Sequence, residues 1–536
     1  MDFTFGKQYH RWLYFIGLMG IAAGLSVSKV LISIGTIWIG VNWLWEGGYS
    51  SKWRLLLARR SVLILISIFV LHLIGLLWTS DLQDGLHDVR IKLPLLIIPL
   101  VVGTSEPLNK KQFESLLILF CIGVIFASVR TYLIATGTIY KKIIDLRQAS
   151  DLVPLIRLAL FSALSILLFG RWFFRNTEWY IRVACVLGGL WLLCFMIYMQ
   201  SLTGLVVLVA STTLIACIMT ILNKRKKLFI AMMAVLVLVL SWCGFYVVRA
   251  YNDFYALRGN EIPKLYSHSV TGQAYEHSLD IPIYENGNKV MVNVCWVDLM
   301  CEWNKRSEFL FQKSRDRKGG YIAFTLTRYL ASKGLSRDSI GVSKLSETEI
   351  RAIENGSTNY LDGERNPIEK RAYQVFWEMY NYFHGGDPSG SSITMRLEVI
   401  SAALHNSAAR PWIGSGTGSQ MKTYTAYYAS ADTRLQEKWQ WLHAHNQFLS
   451  IAVTLGIPAA LFFIFSLWWP ARSMRRWKSF LYVAFFVIVC LSFLDDDTLE
   501  TQQGVTFYAF FNCLLLYAMP FASSRTSLEQ PEENPS

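Results

Sequence analysis

Along the chain, long apolar runs alternate with short polar breaks. The runs cover 12–27, 29–46, 61–79, 91–104, 112–136, 152–169, 180–199, 203–222, 228–249, 447–469, 479–494 and 505–523. Most approach the ~20 apolar residues with which a helix crosses the hydrocarbon core of a bilayer. Helices and closed barrels are the structures that satisfy every backbone donor there. The pattern predicts an all-α polytopic membrane protein of about twelve transmembrane helices. Run 91–104 is short and predicts a span that is tilted or extended at one end.

Residues 250–446 interrupt this pattern with a polar segment too long for an unstructured connection. Its first half alternates apolar and polar positions around "ENGN" (285–288), a hairpin signal. "TLTRYLASKG" (325–334) and "SETEIRAIENG" (346–356) read as helices closed by glycine. "NPIEKRAYQVFWEMYNYF" (366–383) reads as a helix with an aromatic face, and "GGDPSGSS" (385–392) as a flexible break. After the break, a helix led by Arg396 ends before Pro411, and a glycine-rich turn follows. The expected organisation is nine spans in 1–249, an α+β loop domain in 250–446, three spans in 447–523 and a disordered tail in 524–536.

Charge sets the orientation. The chain is 53% hydrophobic and only 17% charged, with a formal charge of +13. The positives cluster in short loops, "SKWRLLLARR" (51–60), "NKK" (109–111), "GRWFFR" (170–175), "NKRKK" (223–227) and "ARSMRRWK" (471–478). These fall on one side when spans alternate, which makes that side cytoplasmic. Topology therefore accounts for the basic balance, and no aromatic-interleaved basic stripe points to nucleic acid. The opposite side carries "TSDLQDGLHD" (79–88), "QSLTG" (200–204), "DDDTLETQQG" (495–504) and the large loop. "YKKIIDLRQAS" (140–150) is basic yet falls outside. It is either an interfacial helix with snorkelling lysines or a positive rim for an anionic ligand. The start of the chain shows no small-residue cleavage site and reads as a first span. Seven of the nine cysteines lie in apolar segments; Cys295 and Cys301 lie in the polar loop, where a disulfide and two free thiols are both open.

A handful of polar groups on the outside carry the candidate chemistry. Arg157 sits inside the sixth apolar run, where a guanidinium is costly and normally faces a partner or a cavity. It either pairs with a carboxylate such as Asp151, snorkels to the headgroups, or binds an anion with its planar fork. Gly414, Gly416 and Gly418 form a turn that either cradles phosphate through backbone N–H groups or is simply tight; it lacks the lysine and spacing of a P-loop. His445 and Asn446 open the tenth run, and an imidazole there is suited to proton transfer near neutrality. His443 and His445 have no Cys, Asp or Glu at ligand spacing, so the metal expectation is none.

"HNQFLSIAVTLGIPA" (445–459) resembles the signature of the O-antigen ligase superfamily: His445, Asn446 and Gly456 match, and Ala459 departs at the last position. The Arg396-led helix, Pro411 and the G-x-G-x-G turn resemble the family's loop element, and "TLETQQGVTFYAFF" (498–511) is similar to its entry to the last span. The long 250–390 insertion is similar to versions from Bacteroidetes-like bacteria. Many members carry an Arg in an S-R-x-G motif where this chain has Leu202, so Arg157, Arg90 and Lys92 are the candidates for a second cation. The resemblance implies a GT-C-like glycosyltransferase of the bacterial inner membrane with its active site facing the periplasm. It implies a glycan donor on undecaprenyl diphosphate, a lipid A-core hydroxyl as acceptor, and no metal or other cofactor. His445 would then orient the acceptor hydroxyl or act as its base. Arg396 and Arg157 would stabilise the departing diphosphate, and Asn446, Gln447, Arg90, Lys92, Gly416 and Gly418 would contact substrate among membrane lipids. A glycan polymerase and a protein O-oligosaccharyltransferase share this logic; a lipid-linked glycan transporter is the alternative of another class.

Overall fold

In the computed structural model, residues 3–140, 146–199, 201–222, 226–256, 264–281, 283–386, 388, 392–430, 435 and 443–519 are described. The chain forms two compact units: Met1–Phe229 with Ile400–Ser430 and Leu442–Ser536, and Ile230–Val399 with Ala431–Trp441. The protein is an all-α, multi-pass membrane protein. Helices long and apolar enough to cross a bilayer are Arg60–Trp78, Lys110–Ala135, Leu155–Arg175, Trp179–Tyr198, Thr203–Ile221 and Phe229–Phe254. A seventh results if Lys29–Glu46 and Tyr49–Ala58, bent by 117°, form one broken span.

Among the described residues this compares with the about twelve expected, and the local shape of three runs accounts for part of the difference. The fourth run yields only an 11-residue helix, Pro94–Thr104, started by a proline at its first position. The tenth run is cut at Gly456, which has a φ of +89°, into Gln447–Leu455 and Ile457–Ser473. The last run is the helix Gln502–Cys513 ending in a π-turn, Leu514–Ala518.

Small residues and aromatic rings close the first unit. A Cβ on Gly35 would come within 2.9 Å of the Gly17 carbonyl oxygen, so Phe3–Val27 and Lys29–Glu46 touch through their backbones. Phe120, Phe161, Phe485, Phe507 and Phe511 interlock deeper in the bundle, with Phe161 and Phe507 centroids 4.7 Å apart.

The break at Gly456 leaves carbonyls to be satisfied, and the glycine-rich turn satisfies them. Pro458 has no N–H to return to Thr454 O, and Gly416 N–H supplies that bond at 2.9 Å. Ile457 N–H goes instead to Pro411 O at 2.7 Å, and Ser415 N–H takes Val453 O at 2.9 Å. Thr417 is stitched to the end of the Arg60–Trp78 helix, its N–H on Gly75 O (3.1 Å) and its Oγ1 on His72 O (2.7 Å). The glycines are required because backbones meet there. Gly418 has φ +87°, and a Cβ would lie 2.1 Å from Gly85 N. Gly418→Ala is expected to destabilise the protein by about 3 kcal/mol or more, from overpacking and left-handed strain together, seen as a lower unfolding midpoint in detergent; an unchanged midpoint contradicts this account.

The second unit is mainly helical. The "ENGN" hairpin forms, with Asn286 and Gly287 both at positive φ as a type I′ turn needs. Its ladder is only Tyr284–Glu285 against Asn288–Lys289. Val290, Val292 and Val294 keep the alternation and are buried, yet beyond single bridges, among the described residues, they find no strand to pair with, so the expected α+β character reduces to one short hairpin. The helices appear as Ile322–Ser332, Glu347–Glu354 and Pro367–Phe383, the last two with capping boxes at Ser346/Glu349 and Asn366/Glu369. Cys295 and Cys301 are free thiols, separated by the first turns of Trp296–Arg306. The tail 524–536 and Lys141 and Lys142 lie outside the described residues.

Candidate active site

The chain enters the Gln447–Leu455 helix through a constrained corner. His445 has a φ of +45°, uncommon for a residue with a Cβ and typical of positions held by their surroundings. Asn446 caps the helix: its Oδ1 accepts Phe448 N–H and Leu449 N–H, each at 3.1 Å, and its Nδ2 donates to Leu494 O at 3.1 Å. These bonds employ the Asn446 amide in holding the corner against the end of the Phe480–Asp495 helix.

That helix end presents the acidic loop to the imidazole. His445 Nδ1 lies 3.9 Å from Asp496 Oδ1 and 3.9 Å from Asp497 Oδ1. Asp496 Oδ2 in turn lies 3.2 Å from Arg157 Nη2, both side chains being buried, and Asp497 Oδ2 lies 3.9 Å from His443 Nδ1. Asp496, followed by Asp497, raises the His445 pKa to about 9 against the opposing effect of burial. Burial pulls the Asp496 carboxyl upward, but His445 and Arg157 outweigh it and hold the group below its usual range. The two carboxylates therefore favour the imidazolium form of His445 at neutral pH.

A second ion pair, with its lysine buried and its carboxylate partly exposed, lies beside it. Lys92, 1% exposed, donates to Glu500 Oε2 at 2.6 Å. Gln447 clamps the same loop, donating from Nε2 to Glu500 Oε1 at 3.3 Å and accepting Leu499 N–H on Oε1 at 2.6 Å. Burial raises the Glu500 carboxyl, but the Lys92 charge overrides it and holds the pKa at about 2.

The expected site residues thus sort by placement. His445, Arg157 and Asn446 gather around Asp496–Asp497, and Lys92 and Gln447 meet at Glu500. Lys92 is engaged by a carboxylate and Gln447 is fully buried. Arg90 is exposed and hydrogen-bonded to His87 Nδ1 at 3.1 Å. Gly416 N–H is committed to Thr454 O, and Gly418 packs on Gly85. Arg396 is an exposed residue of the Ser392–Ala409 helix and belongs to the second unit, whereas His445 belongs to the first. The partner of Arg157 is Asp496 and not Asp151, whose carboxylate takes Arg130 in a two-point fork at 3.1 and 2.8 Å.

Asp496, Asp497 and Glu500 were missed as site residues. They stood in view as an acidic run at the end of an apolar segment, but nothing in the order of residues ties that run to a histidine some fifty positions earlier. His445, Asp496 and Asp497 offer ligand atoms within 4.8 Å of one another, a donor set that the sequence expectation of no metal did not foresee. Its chemistry is that of an ion-pair cluster: a dication would have to displace the proton of His445, while Arg157 holds the other oxygen of Asp496.

The fold and this corner define a polytopic membrane protein with a charged cluster at one end of its helices. Residues 356–464, which include His445, Asn446 and the glycine-rich turn, match the family model described as O-antigen ligase. No curated protein matches the chain. The match is consistent with an O-antigen ligase-like polytopic membrane enzyme.

Proposed function

We propose that the chain is a glycosyltransferase of the inner membrane, working on its periplasmic side, that moves a glycan from undecaprenyl diphosphate to a lipid A-core sugar hydroxyl. The observation that supports this reading is the imidazolium of His445, a residue inside the stretch that matches the O-antigen ligase model, set against Asp496 and Asp497 with Arg157 on Asp496.

The chemistry follows from charge. The anomeric C–O bond to diphosphate breaks, its electron pair leaves with the diphosphate, and the acceptor oxygen forms the new bond and loses its proton. Negative charge grows on the leaving group, where a fixed cation lowers the barrier most. His445 is partly exposed and cationic, so it serves that oxygen. Asp497, on the same imidazole, takes the acceptor proton. Arg157 acts through Asp496 as a positioning residue. The donor leaves readily, so paired hydrolase-type carboxylates are not needed. No metal takes part.

The pH profile tests the role of His445. The imidazolium is present below about 9 and is lost as pH rises through that value. Transfer is expected to be level from neutral pH and to decline through pH 9. A rate that climbs toward pH 9 would mean that the neutral imidazole acts as base. The substrate assignment is tested by deletion of the protein in cells. Lipid-linked glycan is expected to accumulate while lipid A-core loses its sugar. Loss of long polymer, or of sugar from a protein, would instead assign polymerase or protein O-oligosaccharyltransferase activity.

A further inference from the structure

At the other end of the first unit lies a groove that the proposed transfer does not use. It has a volume of about 870 Å³ and lies between the helices Lys110–Ala135, Leu155–Arg175 and Trp179–Tyr198. Arg157 and Arg171 are fourteen residues apart on one helix, which separates this groove from the Arg157–Asp496 pair by about 21 Å. Its mouth is basic. Lys110, Arg171 and Arg175 line it together with a single carboxylate, Glu114.

That carboxylate is already neutralised. Arg171 donates from Nη1 and Nη2 to Glu114 at 3.0 and 2.6 Å, and Trp172 Nε1 donates to the same group at 2.8 Å. Among the described residues, neither Lys110 nor Arg175 has an ion-pair partner. Two cations are thus left over beside a fixed Arg–Glu pair. Below them the wall is apolar, built from Ile118, Ile125, Phe169 and Ile181. Trp179 and Tyr180, both well exposed, stand at the same level as interfacial aromatics do.

We infer that this groove binds one anionic phospholipid, its phosphate held by Lys110 and Arg175 and an acyl chain laid along Ile118, Ile125 and Ile181. The charge selects the occupant. A zwitterionic headgroup would set its own ammonium against two unpaired cations, whereas an anionic one neutralises them. The apolar wall selects a lipid over a free phosphate, because it buries a chain that an inorganic ion lacks. The basic loops 109–111 and 170–175 also fall on the side where anionic lipids concentrate.

Native mass spectrometry of the purified full chain, offered phosphatidylglycerol or phosphatidylcholine at equal mole fraction, tests this. Phosphatidylglycerol is expected to be retained about tenfold better. The double variant Lys110→Gln/Arg175→Gln should bring the two lipids to parity, and Ile181→Trp, which fills the slot and leaves the charges, should lower retention of both. Equal retention by the native protein overturns the inference. So does undiminished phosphatidylglycerol binding in the double variant, or displacement of the lipid by millimolar inorganic phosphate. The readout is independent of glycan transfer, so it stands or falls apart from the proposed function.

Discussion

His445→Ala is expected to lower the proposed glycan transfer by about 10²–10³-fold, the range for loss of one fixed group that stabilises developing charge, while the protein still reaches the membrane. The substitution removes the cation set between Asp496 and Asp497. Asp496 keeps Arg157 at 3.2 Å, so the fold retains its neutralised buried charge. The expected signature is a loss in kcat with little change in protein yield. Asp497→Asn keeps the shape of the corner and removes the proposed proton acceptor, so it should also lower kcat. Asn446→Ala differs in kind: it removes an N-cap and the bond to Leu494 O, at a cost of about 1 kcal/mol in stability. Normal lipopolysaccharide banding from cells carrying only the His445→Ala protein would remove this residue from the mechanism.

Lys92→Met is expected to destabilise the protein by about 3 kcal/mol, because it strands Glu500 as an unpaired charge in a mostly buried place. Loss of the ammonium also frees the loop that Gln447 and Glu500 hold beside the imidazole, so activity falls with stability. The double variant Lys92→Met/Glu500→Gln is expected to recover most of the lost stability, since both charges are then gone and Gln still pairs with Gln447. Unfolding midpoints in detergent for the single and double variants decide the matter. If the double variant is as unstable as Lys92→Met, the pair is not the source of the effect.

The membrane class of the protein was legible because apolar runs of sufficient length are local features of sequence. The helix starts at Ser346 and Asn366 were legible for the same reason, since a capping box is complete within four residues. The break in the tenth run was not. Gly456 and Pro458 were visible, but their break is stable only because Gly416 and Ser415, some forty residues earlier, supply the missing donors. The same bonds account for the glycine-rich turn. Seen alone, it offers N–H groups to an anion; in the fold, Gly416 spends its N–H on a carbonyl.

Sequence by itself determined the apolar helices, the basic and acidic loops, and His445 with Asn446 at a helix entrance. These depend on composition and on spacings of a few residues. Tertiary structure decided which charges meet. It gave Arg157 to Asp496 and Asp151 to Arg130, joined Lys92 to Glu500, and set two carboxylates against His445. Buried charges must be paired, but many pairings satisfy that demand in a linear chain, and only the packing of the helices selects one.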